Sequence, residues 1–173
     1  MLRNAKLLRK INKTGVRGLI ANPVIAEKPE EIFVDPKWFW HSCLHGHKDN
    51  VKRIIEKHPN SIDINAKQLL GFSALHLAIF GNHLPIVQIL VSKFKAQLDF
   101  NLRNDDDLNP LGFAIKQDLP AIIRVLVRFG RPEISSLIHA IQENQPVIAQ
   151  MLHKKLKKQF YATKVDILVP IER

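Results

Sequence analysis

Four side chains able to ligate zinc fall within seven residues, in the run His41-x-Cys43-x-His45-x-His47. The ligand types suit that metal, but a site forms only where the side chains converge on a tetrahedral centre. Asp105-Asp106-Asp107 offers hard oxygen donors without the ordered spacing of a calcium loop. The sequence holds no glycine-rich phosphate loop, no paired-cysteine metal motif and no nucleophile elbow. An enzyme is therefore not expected, nor any cofactor, and whether the histidines and Cys43 converge depends on the elements that carry them.

Those elements follow from a spacing that recurs. Val51, Ile54 and Ile55 are matched 36 residues on by Val87, Leu90 and Val91, and again by Ile123, Leu126 and Val127. A shorter step of 26 leads to a fourth set with Ala149 and Leu152. Separations of three and four place each set on one face of a helix. Upstream of each lies a second helical stretch with a small residue in register, namely Ser42, Ala78, Ala114 and Ala140, as close helix stacking requires. Between the two stretches the same register gives Gly46, Asn82, Asp118 and Asn144, the residue types that most cheaply adopt a left-handed turn conformation.

The best-formed unit, Gly71-Phe72-Ser73-Ala74-Leu75-His76-Leu77-Ala78 followed by Ile86-Val87-Gln88-Ile89-Leu90-Val91, resembles an ankyrin repeat. The resemblance implies an all-α solenoid of about four helix-turn-helix units with short hairpin fingers, and it points to protein binding. The units span about 38–66, 67–102, 103–130 and 131–152, after a basic arm at 1–26 and a linker and cap at 27–37, and before a basic tail at 153–173. Some positions depart from the family pattern. Ala74 replaces proline, Trp40 and Gly112 replace the histidine, and the step from third to fourth unit is too short for a full finger. Degenerate outer repeats are common in such arrays, where they serve as caps. Within this register Cys43 is buried, His45 faces solvent and His47 is the turn histidine, so the side chains of the candidate zinc cluster diverge and no metal is expected. His76 takes the place of the family's structural histidine.

Composition sets further bounds. With 173 residues, 46% of them hydrophobic, the chain buries the core of one medium domain or a short solenoid. Cys43 is the single cysteine, which precludes an intrachain disulfide and fits a reducing compartment. No apolar run reaches the roughly 18 to 20 residues of a membrane-spanning helix. The net charge of +10 divides into +4 for residues 1–37, +2 for 38–152 and +4 for 153–173, so the repeats are nearly neutral and the excess lies in the flanks.

Residues 1–26 contain Arg3, Lys6, Arg9, Lys10, Lys13 and Arg17 and no acidic residue, a pattern similar to a mitochondrial targeting leader. The alternatives are a basic arm that touches an acidic partner and attachment to a membrane surface. Lys154, Lys155, Lys157 and Lys158 follow the last repeat with Phe160 and Tyr161 close by. They suit either a solvated helix end or contact with an RNA backbone, without any signature for base reading.

Partners of such stacks contact the fingers and the exposed ends of the first helices. Those positions hold Leu69, Leu70, Phe72 and Phe80, four large apolar residues where polar ones belong, and then Asp105, Asp106 and Leu108 with Lys116 and Gln117. An exposed apolar patch marks an interface; the competing possibility is that one of the two tails covers it. The sequence thus implies a non-catalytic protein-interaction module. Its role is either a structural subunit of a large, mitochondrial assembly such as a ribosome or respiratory-chain complex, or a free cytosolic adaptor.

Overall fold

The computed structural model describes residues 38–167, and for Leu69 and residues 163–167 the backbone alone. The basic arm with Arg3, Lys6, Arg9, Lys10 and Lys13, the linker and the segment after Ile167 lie outside the described residues. Among the described residues eight α-helices follow one another: α1 Phe39–His45, α2 Lys48–Lys57, α3 Ala74–Phe80, α4 Leu84–Lys93, α5 Pro110–Lys116, α6 Pro120–Phe129, α7 Ile134–Gln142 and α8 Pro146–Ile167. The first helices α1, α3, α5 and α7 stack in one layer, and the second helices α2, α4, α6 and α8 in another.

Each pair turns on one residue of positive φ: Gly46 at 81°, Asn82 at 56°, Asp118 at 55° and Asn144 at 53°. Glycine, asparagine and aspartate visit this region at the least steric cost. Prolines near the start of α4, α5 and α6 restart the helices where a backbone N–H would have no partner. Two of the first helices, α3 and α5, are opened by side chains. Ser73 Oγ accepts from the His76 N–H while the His76 ring accepts from the Ser73 N–H, a reciprocal capping box. In the next unit Asn109 Oδ1 accepts from Gly112 N–H at 2.7 Å.

Lateral bonds hold the loops between pairs together. The Asp105 N–H donates to the Leu70 carbonyl at 3.1 Å, and Asn65 Nδ2 donates to the Gln97 carbonyl at 2.7 Å. Asn104 Oδ1 closes its own finger by accepting from the N–H groups of Asp106 and Leu108. The connection from α6 to α7 has no such finger; there Arg103 pairs with Glu133 at 3.0 Å.

The core lies between the layers. Phe39, Leu75, Ile79, Phe113, Ile115 and Ile123 are essentially inaccessible. Each contributes about 1.5–3 kcal/mol through removal of apolar surface from water. The boundary expected at residue 152 is corrected, because α8 runs unbroken for 22 residues through the stretch read as tail. Its lysines consequently occupy the middle of a helix instead of a C-terminal turn.

Candidate protein-binding surfaces

The patch expected around the finger of the second unit is not an exposed apolar surface. Phe72 is 2% exposed and Phe80 7%, and Leu108 in the next finger is 5% exposed. Phe72 packs its ring 5.2 Å from Phe113, 5.8 Å from His76 and 6.2 Å from Phe80, between the second and third units. Leu70 is half-buried, in left-handed backbone at φ 61° beside Gly71, and Leu69 falls in the same 3-10 turn. A Cβ on Gly71 would lie 2.5 Å from Asp105 Oδ1, so the two neighbouring fingers touch at this point. Of the finger residues singled out in the sequence, Asp105, Asp106 and Lys116 remain exposed.

Exposed apolar surface gathers instead at the C-terminal end of the stack. Ile134, Ile138 and Ile141 of α7 are 68%, 48% and 63% exposed, and their spacing of four and three aligns them along one helical face. Where α8 runs past α7, Leu137, Leu156, Phe160 and Tyr161 line a groove of about 790 Å³ that Arg131 and His153 border. Lys157 sets its ammonium 6.0 Å from the Tyr161 ring centroid. Lys154, Lys157 and Lys158 are exposed and Lys155 is half-buried, so the apolar face has a basic margin. One signal in the sequence marks this face: Ile138 stands where the previous unit has Gly112, a bulky residue at a position of close approach.

The histidines contradict the expected divergence. His41 and His45, one turn apart on α1, bring their ring centroids to 4.3 Å, and the Gly46 turn returns His47 to 5.8 Å from His41. Burial lowers the pKa of His41 to about 4, with the charges of His45 and His47 adding to the shift, and burial first and then His47 lower that of His45. Cys43 points the other way, into the core, where burial raises its thiol pKa. Among the described residues no group of three or more potential ligands has metal-holding geometry.

His76 is fully buried and joins two units. Its Nδ1 accepts from the Ser73 backbone N–H, and its Nε2 lies 3.1 Å from the Leu108 carbonyl of the next finger. A carbonyl only accepts, so Nε2 carries the proton and Nδ1 is free to accept, the neutral tautomer. Burial lowers its pKa to about 4, the bond to Leu108 opposes that, and Lys67 adds to the lowering.

Comparison with known proteins agrees with this architecture. The family described as ankyrin repeats (many copies) matches residues 40–91. Alpha-latrocrustotoxin-Lt1a of Latrodectus tredecimguttatus is 26% identical over 126 residues, which are 73% of this chain and 8% of the toxin. A chain from the solved complex of the Bd0816 predatory endopeptidase of Bdellovibrio bacteriovorus with immunity protein Bd3460 aligns with a TM-score of 0.58 and 25% identity. That alignment covers 69% of this chain and 64% of the other. The matched segment contains the capping box, two of the left-handed turns and the stacked pairs α1/α2 and α3/α4, and the same turn and stacking recur through α8. Residues 40–91 thus match ankyrin repeats, which indicate a protein–protein interaction module.

Proposed function

We propose that this is a non-catalytic subunit of a larger assembly, docked through the open C-terminal end of its stack onto a helical surface of a partner protein. One observation carries the reading. Ile115 of α5 and Ile141 of α7 occupy the same place in the repeat register, yet Ile115 is 0% exposed and Ile141 63%. Helix α7 stacks on α5, and among the described residues no further first helix follows α7. The face of α7 is thus continuous with the stacking interface inside the molecule, and its natural occupant is another helix pair that stacks as a further unit would. Terminal units that face only water carry a polar outer surface; this one presents isoleucines.

Likeness to a chain from a two-protein complex supports a protein as the occupant. The acid-free, basic residues 1–26 support a mitochondrial site for the assembly over a cytosolic adaptor. The tagged full chain, isolated from its cells of origin, should hold a stable complex that the paired change Ile138→Asp and Ile141→Asp disperses. Each substitution at a real hot spot costs about 2 kcal/mol or more. Unchanged complex composition with the paired variant sinks the reading, and a homodimer in place of a heteromeric complex would make the occupant a second copy. Imaging with and without residues 1–26 tests the location.

A further inference from the structure

The repeats are nearly neutral in total, but the fold separates their charges. Helices α2, α4 and α6 together carry seven lysines and arginines against two carboxylates, Asp49 and Glu56, both on α2. The other eight carboxylates between residues 38 and 152 lie in fingers, turns and helix caps. A near-zero sum therefore conceals a potential directed across the molecule.

A groove of about 630 Å³ runs over this second-helix layer and spans three units. Lys48 and Lys52 of α2 border it on one side and Arg124 and Arg128 of α6 on the other, while Ile89 and Val125 contribute to its floor. The four cations are exposed and the two floor residues half-buried. No ion pair among the described residues neutralises any of the four. Arg128 lies instead 5.4 Å from the Phe129 ring centroid. Neighbouring helices pack about 8–10 Å apart, so α2 to α6 measures roughly 20 Å, the length of about 13 helical residues. Cationic margins on an aliphatic floor complement a ligand with carboxylates on its flanks and aliphatic side chains between them. A nucleic acid would use the margins, but of the lining only Phe129 offers a base a stacking platform, while Ile89 and Val125 suit aliphatic side chains.

We propose that this groove binds an acidic amphipathic helix of a partner protein, a second docking surface independent of the C-terminal face. The helix lays its aliphatic side on Ile89 and Val125 and turns its carboxylates to Lys48, Lys52, Arg124 and Arg128. Fluorescence anisotropy of the full chain with a labelled helical peptide of about 18 residues, leucine at i, i+3, i+4 and i+7 and glutamate between, tests this directly. Saturable binding is expected, weakened about tenfold when the peptide order is scrambled and about tenfold by Lys52→Glu with Arg124→Glu. The control pair Lys154→Glu with Lys158→Glu makes the same change of net charge away from the groove and should leave the affinity within about twofold. Ile138→Asp with Ile141→Asp should also leave it unchanged, which separates this groove from the end face. The proposal is overturned by a lack of saturable binding, by equal binding of the scrambled peptide, or by equal losses in the groove and control pairs. An oligonucleotide of matched charge that binds more tightly, and is lost with the groove pair, would reassign the site to nucleic acid.

Discussion

Helices α3 and α7 hold the same place in two repeats and are both apolar, yet all seven residues of α3 are buried and in α7 only Ser136 and Ala140 are. Helix α3 lies between α1 and α5, whereas among the described residues α7 has a first-helix neighbour, α5, on one side only. An apolar residue becomes core when a neighbour arrives on its outer side, and that neighbour is some 36 residues away in the chain. In a linear stack, sequence periodicity specifies the unit, and position in the stack specifies whether its outer face is interior or interface.

The contrast can be attacked at its centre first. Phe113, 1% exposed and with its ring centroid 5.2 Å from that of Phe72, should cost about 3–5 kcal/mol as Phe113→Ala, read as a lowered urea midpoint. A loss below about 1 kcal/mol would mean that the central units do not share one cooperative core.

Acid should act on the same region through His76. Its pKa falls from 6.5 to about 4 in the folded protein, so the unfolded chain binds the proton more readily. Stability is therefore fully present above about pH 6.5 and declines as pH falls toward 4, by on the order of 3 kcal/mol for this residue alone. His41 and His45 are lowered too and act in the same direction. Urea midpoints of the wild type and His76→Gln between pH 7 and 4 check the share of His76, because the variant should show a flatter decline. Equal slopes would assign the acid response elsewhere.

Replacing the left-handed turn residue in a central unit, Asn82→Val, should cost about 1–2 kcal/mol, and Asn82→Gly little. The same change at Asn144 sharpens the comparison. An equal loss would show that the open terminal unit unfolds together with the centre, and a much smaller one that it frays independently. The smallest effect belongs to Ile141→Asp, which should leave the urea midpoint within about 0.5 kcal/mol of wild type while it removes the partner. A large loss of stability would show that this face is covered within the molecule.

Much of the fold was legible because its determinants are local. The turn residues were identifiable from the register, since each left-handed position tolerates few residue types. Cys43 was assigned to the interior and His45 to solvent from the repeat register, and both assignments agree with the structure. The candidate surface was much less legible. Phe72 and Phe80 occupy positions that the family leaves free, which made them look like interface, but Phe113 from the next unit packs on Phe72, and Phe72 in turn on Phe80. His41, His45 and His47 were expected to separate, but a helical turn and the tight return at Gly46 bring them together.

The sequence by itself determined the number of units, their helix-turn-helix form, the residues at which they turn and the small residues at which they stack. Those depend on backbone preferences and on spacings within one repeat or from one repeat to the next. Tertiary structure alone decided which apolar residues meet solvent, how the charges of a neutral core divide between two faces, and where grooves open between units. Burial and electrostatic potential are properties of neighbourhoods, and here the neighbours are supplied by stacking across the chain.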